Sequence, residues 1–230
     1  MKNRLFPKTF GLFLACLMIF SALSVRVRAG IGTEVQKPKT RKIALTFDDG
    51  PHPVLTPQIL TVLSRYGVKA TFFMIGKNAE NYPETARQVA KEGHEIGNHT
   101  YSHCRLDRLN GKSLEEELNH CSKTLENVCG VRPVLVRPPE GGINAKVRND
   151  LRQNGYGTVL WNIDTRDWEV KNTEKIVRSV LENVRGGEII LMHDYIGHQS
   201  KTPEALEKLL PELLARGFEP VTVSELLSAI

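Results

Sequence analysis

The sequence predicts an α/β fold with a mostly parallel sheet. Two observations carry this. Between residues 41 and 230, short apolar runs alternate with amphipathic ones six or seven times, the pattern of strands joined by crossover helices. Polar residues then collect where the apolar runs end, as "DDG", "H", "RPP", "D" and "HD" in turn. In parallel α/β folds those strand ends share one face, where active sites are built.

Taken in order, "KIALTF" is a buried strand, and "LTPQILTVLSRYG" is a helix closed by Gly67. "KATFFMIG" is strand-like, and "PETARQVAKEG" is a helix with Pro at its start and Gly at its end. "HEIGNH" is a short strand. "SLEEELNHCSKTLENVCG" opens with Ser113 and Glu116 at capping-box spacing and ends at Gly130. "PVLVRPP" is a strand, "NAKVRNDLRQNG" a helix and "YGTVLWNID" a strand. "TEKIVRSVLENVRGG" is a helix, "EIILMHD" a strand, and "TPEALEKLLPELLARG" a helix despite Pro211. "FEPVTVSELLSAI" closes with a strand fragment and a helix.

Residues 1-29 read differently. Lys2, Arg4 and Lys8 precede an apolar stretch over 9–25, and Val27 and Ala29 suit a cut after Ala29. This is the pattern of a secretory signal peptide; the competing reading is an uncleaved N-terminal anchor. Residues 30-40 form a polar linker, and 41-230 a single domain of ordinary size. The protein is therefore expected to be secreted or extracytoplasmic, associated with the cell wall, or membrane-anchored through its N-terminus. The net charge of +5 also belongs to the leader, which holds five of the 31 basic residues and no acidic one. The other 26 basic residues balance 26 acidic ones, which argues against a nucleic-acid partner. Beyond the leader's Cys16, three cysteines remain: Cys104, Cys121 and Cys129. The last two are about 12 Å apart along a helix, too far for a disulfide. Three buried free thiols are one reading, and a Cys104 pairing is another.

The chemistry begins with Asp48 and Asp49. Adjacent buried carboxylates repel unless a cation sits between them, although Asp-Gly-Pro is also an ordinary turn. His99 and His103 join one carboxylate in a two-histidine, one-carboxylate set, as in hydrolytic zinc sites and in iron oxygenases. With Asp49 as ligand, Asp48 is free to act as base. His193, ending an apolar strand, is the candidate acid, against its reading as a core histidine. Arg137 can orient Asp48, and Asp167 can hold a ring nitrogen of His193; surface ion pairs are the plain alternative for both. Trp168 seen alone reads as core.

Together "TFDDGP" (46–51), "HTYSH" (99–103), "RPPEG" (137–141), "DTRDW" (164–168) and "LMH" (191–193) resemble the five ordered motifs of the polysaccharide deacetylase family, carbohydrate esterase family 4 or the NodB homology domain. The resemblance spans residues 42 to about 227. It implies a distorted (β/α)7-type barrel and metal-dependent N-deacetylation of an acetylated amino sugar. By matching position it makes Asp48 the base, Asp49, His99 and His103 the ligands, Arg137 the residue that orients Asp48, and Asp167 the support of His193, the acid. It gives Trp168 and Leu191 the acetyl pocket and the backbone N–H of Glu140 the oxyanion. The family usually has an aromatic residue, often Tyr, where this chain has Glu140, which puts substrate preference in question. Zinc suits the ligand set; cobalt, nickel and manganese fit the same donors. The expected substrate is an acetylated glycan, foremost peptidoglycan N-acetylglucosamine. Chitin oligosaccharides, N-acetylmuramic acid units and O-acetyl xylan are alternatives, as is a non-catalytic glycan-binding module. No protein partner is implied.

Overall fold

The structure, a computed structural model, describes residues 41–195 and 200–229. The leader and the linker lie outside the described residues. No helix among the described residues is long and apolar enough to cross a membrane.

The elements run β1 (Lys42–Asp48), α1 (Leu55–Arg65), β2 (Thr71–Met74), α2 (Gly76–Asn81), α3 (Pro83–Lys91), β3 (Glu95–Asn98), α4 (Gly111–Cys129), β4 (Leu135–Val136), α5 (Ala145–Gln153), β5 (Gly157–Thr158), β6 (Ile163–Asp164), α6 (Thr173–Leu181), β7 (Ile189–His193), α7 (Thr202–Ala215), β8 (Glu219–Val221) and α8 (Val223–Ser228). The sheet order is β5-β4-β3-β2-β1-β7-β6, and each of these pairs is parallel. β8 pairs with the start of β1, over Lys42–Ala44, while β2 pairs with its end, over Thr46–Asp48. The sheet curls into a distorted half-barrel with helices packed against it.

Strand alternation sorts β1 between two cores. Ile43, Leu45 and Phe47 join the large cluster formed with α1, α6 and α7. Ala44 joins a smaller one with Phe73, Val221 and Leu226. Thr46 and Asp48 share the parity of Ala44, and both are buried. The period-2 rule thus delivers Asp48 to the inner face, at the carboxyl end of the central strand.

Three details depart from the sequence reading. The cap of α4 is Asn110, whose side chain accepts from the Ser113 N–H at 3.0 Å. Ser113 therefore sits inside the helix, and no capping box forms. The strand expected over "KATFFMIG" ends at Met74, and α2 begins at Gly76, where an added Cβ would meet the Tyr101 ring at 2.7 Å. The strand expected over "YGTVLWNID" is two short ones, β5 pairing with β4 and β6 with β7. Those partners lie toward opposite edges of the sheet. The four residues between, 159–162, bridge the two edges, the Val159 N–H donating to the Val136 carbonyl at 2.9 Å and the Asn162 N–H to the Ile189 carbonyl at 2.9 Å. This seam replaces closure by pairing.

Candidate active site

The site lies at the carboxyl ends of β1, β3, β4, β6 and β7. A cavity of about 510 Å³ there is lined by Asp48, Asp49, His99, His103, Glu140, Trp161, Asp164, Trp168, Leu191 and His193.

Asp49, His99 and His103 come together, with one ligand-capable atom from each lying within 4.8 Å of the others. Asp49 Oδ1 is 3.3 Å from His99 Nε2 and 3.1 Å from His103 Nε2. Those distances would suit hydrogen bonds, yet this buried oxygen has no hydrogen-bond partner. His99 explains half of this. Its Nδ1 lies 2.7 Å from the Arg137 carbonyl oxygen, which can only accept, so Nδ1 carries the proton. In the neutral ring Nε2 is then a lone pair facing Asp49. An orphaned carboxylate oxygen facing a ring lone pair is what a divalent cation would satisfy, so the donor set fits one. Burial disfavours the Asp49 charge; positive charge facing it, on a protonated imidazole or on a bound cation, outweighs burial and holds the carboxyl far below the usual carboxylate range.

Asp48 stands behind this trio. Its Oδ1 accepts from Arg137 Nη1 at 2.7 Å, and its Oδ2 lies 3.8 Å from His99 Nε2. Arg137 is wholly buried. Its Nη1 also donates to Thr46 Oγ1 at 2.7 Å, its Nη2 to the Leu160 carbonyl at 3.2 Å, and its guanidinium lies 4.2 Å from the Phe73 ring centroid. So Thr46, two residues before Asp48 on the same face, fixes the cation that orients Asp48.

Across the cavity, His193 Nδ1 lies 2.7 Å from Asp167 Oδ1. Asp167 is buried, and its Oδ2 accepts from the His193 backbone N–H at 2.9 Å and from Thr202 Oγ1 at 2.6 Å. Burial opposes a charge on His193. Asp167 more than offsets it, and the imidazole is pushed up to about 9.

Trp168 is not core: it is 54% exposed and lines the cavity with Leu191. Cys104 is half-buried and stands outside the Asp49–His99–His103 group; all three described cysteines are free, and of them only Cys121 is buried. Trp161 was hidden by the continuous-strand reading, and belongs to the seam bridge. Thr46 and Thr202 were given no role of their own by the sequence. The left-handed φ of Asp49 (75°), Thr100 (64°), His103 (60°) and Glu140 (55°) had no sequence signal either. Strained backbone of this kind clusters at functional sites.

A family model described as polysaccharide deacetylase matches residues 35–159. A peptidoglycan-N-acetylglucosamine deacetylase of Bacillus cereus is 46% identical over 193 residues, covering 83% of this chain and 90% of that protein. The peptidoglycan-N-acetylmuramic acid deacetylase PdaC of Bacillus subtilis is 40% identical, over 84% of this chain and 40% of its own length. Among solved structures, a peptidoglycan N-acetylglucosamine deacetylase superposes with a TM-score of 0.79 at 36% identity, covering 81% of this chain and 88% of that one. A family 4 acetyl xylan esterase from Clostridium thermocellum, in complex with a cobalt ion, gives 0.77 at 33% identity, over 82% and 91%.

Proposed function

Because the chain belongs to the polysaccharide deacetylase family, we propose that it is a metal-dependent hydrolase removing N-acetyl groups from the amino sugars of a cell-wall polysaccharide, peptidoglycan N-acetylglucosamine first among them. The observation that carries this reading is the orphaned Asp49 Oδ1 between His99 and His103, next to a second carboxylate held by a buried arginine.

Asp49, His99 and His103 would hold a divalent cation. When bound, a divalent cation supplies a Lewis acid that polarises the amide carbonyl and makes water acidic enough to attack at neutral pH; zinc suits the donors, and cobalt, nickel and manganese fit them too. Asp48 takes a proton from the attacking water as base, with Arg137 holding its carboxylate in place. The backbone N–H of Glu140 holds the developing oxyanion. His193 protonates the leaving amine, a step the reaction needs because an amide anion is a very poor leaving group. Asp167 keeps that proton on His193 at neutral pH. Trp168 and Leu191 enclose the acetyl methyl. The products are acetate and a free amino sugar.

The signal-peptide pattern at 1-29 fits a secreted, wall-associated enzyme, or one anchored by that segment if uncut. O-deacetylation is the second reading, favoured by the likeness to the xylan esterase. The test is release of acetate and of free amines from peptidoglycan, chitin oligomers and acetylxylan by protein loaded with Zn²⁺ or Co²⁺. Acetate with equal amine supports N-deacetylation; acetate without amine replaces it with the esterase reading. Asp48→Ala is expected to bind metal while losing turnover by roughly 10²–10⁴-fold, and His99→Ala to lose the metal itself. Near-normal turnover in Asp48→Ala would remove Asp48 as base.

A further inference from the structure

Glu140 is a charged side chain in the wall of the cavity, which Trp161, Trp168 and Leu191 also line. It is not a loose surface glutamate. Its backbone sits at φ 55°, a conformation disfavoured for a residue with a Cβ. Its Oε2 accepts from Arg105 Nη1 at 3.1 Å. The Nε–Nη2 edge of that guanidinium pairs with Asp107, Nε donating to Oδ1 at 3.1 Å and Nη2 to Oδ2 at 2.7 Å. Gly142 leaves room for this fork: a Cβ there would lie 2.9 Å from Asp107 Oδ1. The fork uses the Nε–Nη2 edge of Arg105 on Asp107, and the Nη1 group reaches one oxygen of Glu140. The three side chains together carry one net negative charge. Oε1 of Glu140 makes no hydrogen bond among the described residues, and the side chain is 60% exposed at the cavity.

We propose that Glu140 is a specificity-determining residue that selects against an anionic substituent next to the reacting acetamido group. The inference rests on the deacetylase reading above. On N-acetylglucosamine the carbon beside the acetamido carbon bears a hydroxyl, which can donate to a carboxylate. On N-acetylmuramic acid the same carbon bears a lactyl ether, whose carboxylate is ionised wherever no stem peptide caps it. A tethered carboxylate accepts from the first and repels the second. Two like charges several ångströms apart at a half-exposed site discriminate by roughly three- to thirty-fold.

The test compares wild type with Glu140→Gln, which keeps the shape and an acceptor for Arg105 while removing the charge. Substrates are chitin oligosaccharides and glycan strands stripped of stem peptides, with deacetylated sugars assigned by mass. The readout is the ratio of kcat/KM on N-acetylmuramic acid units to that on N-acetylglucosamine units, so that a general loss of activity cancels. The variant is expected to raise that ratio roughly three- to thirty-fold at low salt, with the gain shrinking as salt screens the charge. An unchanged ratio overturns the proposal, and so does a gain insensitive to salt, which would take the selection away from charge repulsion. Absence of muramic acid turnover in both proteins also overturns it. If neither protein releases acetate from any glycan, the deacetylase reading falls and takes this inference with it; chitin oligosaccharide turnover by wild type tells the two failures apart.

Discussion

At the scale of single residues, the site separates groups that should be charged from groups that should not, and His193 gives the sharpest consequence. A general acid must hold its proton at the working pH. Asp167 raises His193 to about 9 against the effect of burial, so turnover should fall on the alkaline side, as His193 loses its proton. In Asp167→Asn the counter-charge is gone and burial remains, so this alkaline limb should move to lower pH. A bound cation lowers His193 in both proteins alike, so the difference between the two pH profiles of kcat/KM is the quantity to read. An alkaline limb that stays in place would remove His193 as the acid. The sign for stability is the same: a raised imidazole stabilises the fold fully below its unfolded value, about 6.5, and that contribution is lost as pH rises through about 9. The residue types and strand-end positions of this pair were legible in the sequence. Thr202, which holds the second oxygen of Asp167 from the start of α7, was not, because no local pattern ties residue 202 to residue 167.

At the scale of elements, the alternation of strands and helices was legible because each is bounded by local chemistry: a Pro start for α3, a Gly end at Gly130 for α4. The misread elements are those decided by tertiary contacts. Periodicity cannot see that the run after Tyr156 must leave β4 and rejoin the sheet at β7. Nor can it see why β3 carries a glycine. Gly97 faces Phe73, and an added Cβ would lie 2.3 Å from that ring. Phe73 in turn lies beneath the Arg137 guanidinium that orients Asp48. Gly97→Ala therefore pushes an aromatic ring toward the buried cation, and overpacking of this kind costs about 1–3 kcal/mol. The expected result is a lower urea midpoint at unchanged m-value, together with reduced turnover. A variant with wild-type midpoint and turnover would show that β2 and β3 have slack here.

At the scale of the whole molecule, the candidate ligands join distant parts of the chain. Asp49 follows the central strand, while His99 and His103 follow β3, two strands away in the sheet order. Asn98 anchors that second segment, donating from Nδ2 to the Leu118 carbonyl of α4 at 2.9 Å and to Ser122 Oγ at 2.8 Å. An ion shared by Asp49 and the two histidines would therefore cross-link the carboxyl ends of β1 and β3, and through Asn98 the helix behind them. The unfolded chain has no such preformed set, so binding to the native state adds stability, about 2.7 kcal/mol at a hundredfold excess over Kd. Chelator-treated protein should melt below protein supplied with Zn²⁺ or Co²⁺, and the gap should widen with metal concentration. In His99→Ala that dependence should largely vanish. Asp48→Ala should keep it, because Asp48 sits behind the trio and is held by Arg137. Equal metal dependence of Tm in wild type and His99→Ala would place the ion elsewhere. Loss of the dependence in Asp48→Ala would move Asp48 from base to ligand.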